Sequence, residues 1–133
     1  MGLEWTDENN FVHWPIESAN WMGQFNLSTY SYDFIYSDDQ NGVNWALDVV
    51  SKLVDRYGNH PALYAFEPLN EPWWGSDYNV LKSYYRQARD IIRNKNPNVV
   101  FTFHDGFTFS ADMWNDLFAD DDMENVVIDT HFY

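Results

Sequence analysis

Cysteine is absent from the 133-residue sequence, which excludes disulfide bonds, thiol catalysis and cysteine-ligated zinc. Basic residues are scarce: 7 Lys and Arg stand against 21 Asp and Glu, for a formal charge of -14. Nucleic acid and anionic membranes both need Lys or Arg to neutralise phosphate, so neither suits this composition as a partner. Phosphorylated substrates are disfavoured on the same ground, and the sequence has no glycine-rich phosphate loop. No apolar run approaches the roughly 18 residues of a membrane-spanning helix. The first ten residues have neither the basic nor the apolar region of a signal peptide. What remains as the easier fit is a neutral, polar substrate.

Aromatic residues, by contrast, are abundant, with 7 Trp, 9 Tyr and 10 Phe. Many stand among polar residues, as in "NFVHWPIESANW" and "NEPWWGSDY". That pattern suits either a core of large rings or a surface that stacks ligands. At 45% hydrophobic the chain can bury one core, and it is too short for two ordinary domains. One acceptor sequon, Asn26-Leu27-Ser28, bears only weakly on secretion.

Residues 1–42 show no sustained period and read as an irregular aromatic and polar loop region. From Val43 the pattern changes. Val43, Ala46, Leu47, Val50, Leu53, Val54 and Tyr57 follow helical spacing up to Gly58. A short buried strand over "ALYAFEPLN" (62–70) follows, then a helix on Leu81, Tyr84, Tyr85, Ala88, Ile91 and Ile92. "VVFTF" (99–103) predicts the next strand, Ser110 to Phe118 a third helix, and "NVVIDTHFY" (125–133) a last strand. Strands alternating with helices mean βα units and a parallel sheet. Three such strands leave two raw edges, so residues 43–133 read as the central part of a larger α/β fold.

Each predicted strand ends in polar, ionisable residues: Asn70-Glu71, then His104-Asp105, then Asp129, His131 and Tyr133. In a (β/α)8 barrel the active site lies at those strand ends. Over Asn44 to Tyr133 the residues resemble a known family. "YAFEPLNEPWW" resembles the acid/base strand of the retaining glycoside hydrolases of family 5, which are (β/α)8 barrels. "FTFHDGF", "MWNDLF" and "VVIDTHFY" are similar to the fifth and sixth strands of its exo-β-1,3-glucanase branch. The resemblance implies a TIM-barrel fragment holding about strands four to six, preceded by a long loop and helix three. It also implies a β-glucan substrate, no cofactor, no metal, and an extracellular or cell-wall location.

Retaining glycosidases flank the glycosidic bond with two carboxyl groups about 5–5.5 Å apart, one of them an acid whose surroundings raise its pKa. By the resemblance Glu71 is that general acid/base, with Trp73 and Trp74 keeping water away or stacking on a sugar. Asn70 holds the sugar 2-OH, and His131 and Tyr133 line the subsite of the cleaved sugar. His104 and Asp105 orient other site groups, and Phe107 borders the leaving-group subsite. Glu67 is expected deeper on the same side of the strand, as a hydrogen-bonded structural carboxylate. The nucleophile falls beyond Tyr133, so Glu71 is expected to titrate lower in this chain than it would beside a second carboxylate. Two other readings stay open: a non-catalytic or degenerate sugar-binding barrel, and another clan member such as an endo-β-1,4-glucanase or mannanase. Residues 37–48 partly follow an EF-hand loop, but a helix start suits them better.

Overall fold

The structure is a computed structural model that describes residues 5–6, 11–13, 24–26, 31–33, 41–72, 77–118 and 123–133. Within the region expected to be irregular lie four short strands: β1 (Trp5–Thr6), β2 (Phe11–His13), β3 (Gln24–Asn26) and β4 (Ser31–Asp33). They pair antiparallel in chain order, with Trp5 opposite His13 and Phe25 opposite Tyr32. Strands of two or three residues are too short to show a period of two, which is why the sequence pattern misses them.

Helix α1 spans Asn41–Tyr57. Its apolar stripe buries Val43, Ala46, Leu47, Val50 and Val54, while Leu53 and Tyr57 stay exposed. Because the helix already runs from Asn41, Asp48 lies in its middle and pairs with Lys52, so the EF-hand register does not form. Gly58 ends it, donating its N–H to Val54 O at 2.7 Å. A Cβ there would meet that carbonyl oxygen at 2.5 Å, so the close return of the chain requires glycine.

The second sheet is parallel, ordered β5 (Ala65–Phe66), β6 (Val100–His104) and β7 (Val126–Asp129). Helix α2 (Tyr78–Lys95) joins β5 to β6. Asp77 caps it, accepting from the N–H groups of Asn79 and Val80, the first at 2.8 Å. At the other end Asn96 Nδ2 donates to Gly58 O at 2.8 Å, tying the ends of the two helices together. The expected third helix is a single 3₁₀ turn, Ala111–Trp114, and Ser110 makes no side-chain cap. Arg86 of α2 holds the segment after it by donating to Leu117 O and Asp116 O. Strands β5 and β7 are shorter than their apolar runs suggested, because ladder bonding stops where the chain turns toward the polar strand ends.

Alternation across the sheet divides its residues between two faces. Phe101 and Phe103 face α2, where Tyr85, Trp114 and Phe118 meet them edge-on or tilted at centroid distances of 5.2–6.5 Å. These are among the most buried side chains described. His104, paired in register with Asp129, lies on the opposite face. Tyr85 bridges the layers: its buried hydroxyl donates to His104 O at 2.9 Å. Tyr84 does the same for the segment leading to the site, donating to Pro68 O at 2.9 Å.

Candidate active site

The strand ends converge as the sequence predicted, though with different partners. Glu71 follows the end of β5 with φ +48°, in the left-handed region, and directly precedes buried Pro72. A bulky residue before proline is normally extended, so this backbone is strained by on the order of 1–3 kcal/mol and aims the carboxylate inward. His131 Nδ1 lies 2.5 Å from Glu71 Oε1, and the Tyr133 hydroxyl donates to the same oxygen. His131 Nε2 lies 3.0 Å from Asp129 Oδ2. One imidazole therefore links the acid after β5 to an aspartate at the end of β7.

These contacts set the charge on the acid. The hydroxyl of Tyr133, then the imidazole of His131, hold the Glu71 carboxyl below its ordinary value rather than above it. Hydrogen bonds to the ionised form outweigh the partial burial of a side chain still about a third exposed. The same pairing raises His131, chiefly through Glu71 and further through Asp129. Tyr133 thus touches the acid itself.

Asp105 acts on the loop that follows β6. It is buried, and its two oxygens accept from the N–H groups of Phe107 at 2.9 Å and Phe109 at 3.0 Å. Those bonds hold Phe107 at φ +62° and Phe109 at φ +50°, so Asp105 shapes the loop that carries both rings. His104 is buried too, and its Nδ1 accepts from Gly106 N–H at 3.0 Å. An N–H can only donate, so the hydrogen of neutral His104 sits on Nε2, which has no hydrogen-bond partner among the described residues. Burial pushes His104 down and keeps it neutral. Its ring packs edge-on against His131 at 4.6 Å and Phe107 at 4.8 Å.

A Glu71 oxygen and one nitrogen each of His104 and His131 lie within 4.8 Å of one another, near enough for a shared cation. The donor set argues otherwise, because His104 Nδ1 is occupied and its Nε2 presents a hydrogen instead of a lone pair. Glu67 was expected to be a hydrogen-bonded carboxylate, but its Oε1 is buried without a hydrogen-bond partner among the described residues. Burial, then the charge of Asp129, push Glu67 toward its neutral form. Asn70 is exposed beside Glu71, while Trp73 and Trp74 lie outside the described residues. Asp129 was missed as a site residue; its place two residues before His131 on the last strand was the available signal.

The family model described as Cellulase (glycosyl hydrolase family 5) matches residues 4–133. The chain belongs to glycosyl hydrolase family 5. The match takes in residues 4–42 as well, beyond the span that carried the sequence resemblance. Three parallel strands with their crossovers are accordingly part of a (β/α)8 barrel, and Glu71, His104 and His131 lie at its active-site end. Relatives named "Probable glucan 1,3-beta-glucosidase A" include one from Aspergillus terreus, 38% identical over 85 residues, covering 62% of this chain and 20% of the relative. One from Neosartorya fischeri is 35% identical over 96 residues, covering 70% and 22%. A "Glucan 1,3-beta-glucosidase" from Blumeria graminis is 32% identical over 90 residues, covering 65% and 21%. The chain spans about a fifth of the length of these curated relatives. No helix among the described residues is long and apolar enough to cross a membrane.

Proposed function

We propose that this family 5 chain carries the acid/base half of a retaining glycosidase that hydrolyses β-glucan, most specifically β-1,3-glucan from chain ends. The observation behind this reading is the Glu71 carboxylate, held at the strand ends on His131 and Tyr133 in an Asn-Glu-Pro context. Glu71 protonates the departing glycosidic oxygen and then deprotonates the attacking water, while a glutamate from sequence outside this chain serves as nucleophile. When that carboxylate is present, Tyr133 has a second acceptor and its like charge opposes ionisation of Glu71. Both changes raise Glu71 toward a working acid.

Asn70 holds the sugar 2-hydroxyl, and His131 with Tyr133 borders the cleaved sugar. Phe107, propped by Asp105 against His104, borders the leaving group, with Trp73 and Trp74 beyond. Residues 43–133 supply the central barrel strands. A polymeric β-glucan places the enzyme outside the cell or in its wall.

Incubating the full-length protein with laminarin, cellulose and mannan tests this, reading the released sugar and its first-formed anomer by NMR. Release of β-glucose from laminarin is the expected result. Hydrolysis of cellulose or mannan instead moves the protein to another branch, and binding without hydrolysis makes it a sugar-binding barrel.

A further inference from the structure

His131 is the only described side chain that touches two carboxylates through its two ring nitrogens: Glu71 at Nδ1 and Asp129 at Nε2. The proposed reaction requires a proton that Glu71 can release. While Glu71 carries it, its O–H meets Nδ1, which must then present a lone pair. The remaining imidazole hydrogen has to sit on Nε2. An ionised aspartate accepts and cannot donate, so it permits a hydrogen there and opposes a lone pair. Without such an acceptor the other tautomer is open, in which Nδ1–H faces Glu71 and takes away the lone pair.

We propose that Asp129 is a positioning residue for the acid/base: it fixes His131 with its hydrogen on Nε2, so that Nδ1 and Glu71 share one transferable proton. This assignment rests on the reading of Glu71 as acid/base. The proton moves from Glu71 Oε1 to the Nδ1 lone pair, leaving carboxylate and imidazolium, and returns when the glycosidic oxygen needs it. No other atom changes its bonding. Asp129 keeps the Nε2 hydrogen throughout and, being negative, stabilises the imidazolium.

The surroundings agree with a single cation at this point. His104 is neutral, its Nδ1 occupied by Gly106, and it faces His131 only through an edge-on ring contact. Tyr133 reaches Glu71 and not the imidazole nitrogens. Glu67 is the remaining acid near Asp129, and that charge adds to its burial in favouring its neutral form. Asp129 Oδ2 is thus the acceptor the geometry offers to Nε2.

Side-chain ¹⁵N NMR of His131 through a pH titration, on the unmodified chain and on Asp129→Asn, tests the assignment. In the unmodified chain the imidazolium between two carboxylates is expected to persist to a pH above the ordinary histidine midpoint. In Asp129→Asn the midpoint is expected to fall by about one pH unit or more. An unchanged midpoint in the folded variant would overturn the proposal. If the variant does not fold, the unmodified chain still decides, since a His131 midpoint at or below the ordinary value there contradicts it. The readout does not depend on turnover, so a raised midpoint in a protein that cleaves no glucan would refute the enzymatic reading alone.

Discussion

Glu71 and His131 perturb each other in opposite directions, and the signs define a pH window for stability. A carboxylate held below its ordinary value of 4.5 adds stability above that value and loses it as pH falls through the lowered pKa. An imidazole raised above 6.5 adds stability below that value and loses it as pH rises through the raised pKa. The pair therefore supports the fold most between these two ordinary values. Urea melts of His131→Asn against the unmodified chain should differ most near pH 5.5 to 6, and the difference should shrink toward pH 3 and toward pH 9. A difference independent of pH would mean that His131 acts by packing alone. At this scale the sequence put Glu71 and His131 at strand ends of one shared face, and the contact between them came from the structure. The sequence could not say what Asp105 orients, since nothing local says that a carboxylate will turn onto its own loop. Asp129 went unassigned because its role depends on a ring two residues away.

At the scale of elements, the two helices were legible because their apolar stripes recur over four turns or more, and burial follows those stripes at Val50, Val54, Leu81, Tyr85 and Ala88. The strands of residues 5–33 were not, because segments of two or three residues carry no period. The third helix failed for a different reason. Arg86 of α2 donates to the backbone carbonyls of Leu117 and Asp116, which replaces helical bonds there, and Lys82 pairs with the Asp116 carboxylate. The tie that matters most for the site is between α2 and β6, through the Tyr85 hydroxyl on His104 O. Tyr85→Phe leaves that buried carbonyl short of one partner, and should destabilise the chain by about 1–3 kcal/mol in denaturant melts. It should also disturb the His104 ring signals by NMR. No loss of stability would mean that water takes the place of the hydroxyl and that the layer contact is not rigid.

For the molecule as a whole, a helix layer covers one face of the parallel sheet while the other carries Glu71, His104, Asp129 and His131. Parallel sheets are normally buried on both faces, and in a family 5 barrel that second face is the interior. Val127 and Phe132 are 48% and 79% exposed here, in keeping with a chain that spans a fifth of its relatives. Barrel membership was readable from three strand ends in order, whereas the partners of each ionisable group required the geometry. The central claim, that Glu71 is the acid/base, is tested most directly by Glu71→Ala in the full-length protein. With a dinitrophenyl β-glucoside the leaving group needs no proton, so the first step survives and the second stalls for want of a base. Azide, small enough to enter the vacated space and needing no deprotonation, should restore turnover and yield β-glucosyl azide, while laminarin hydrolysis falls by about 10²–10⁴-fold. Unchanged laminarin hydrolysis, or a variant that azide does not rescue, would contradict the account.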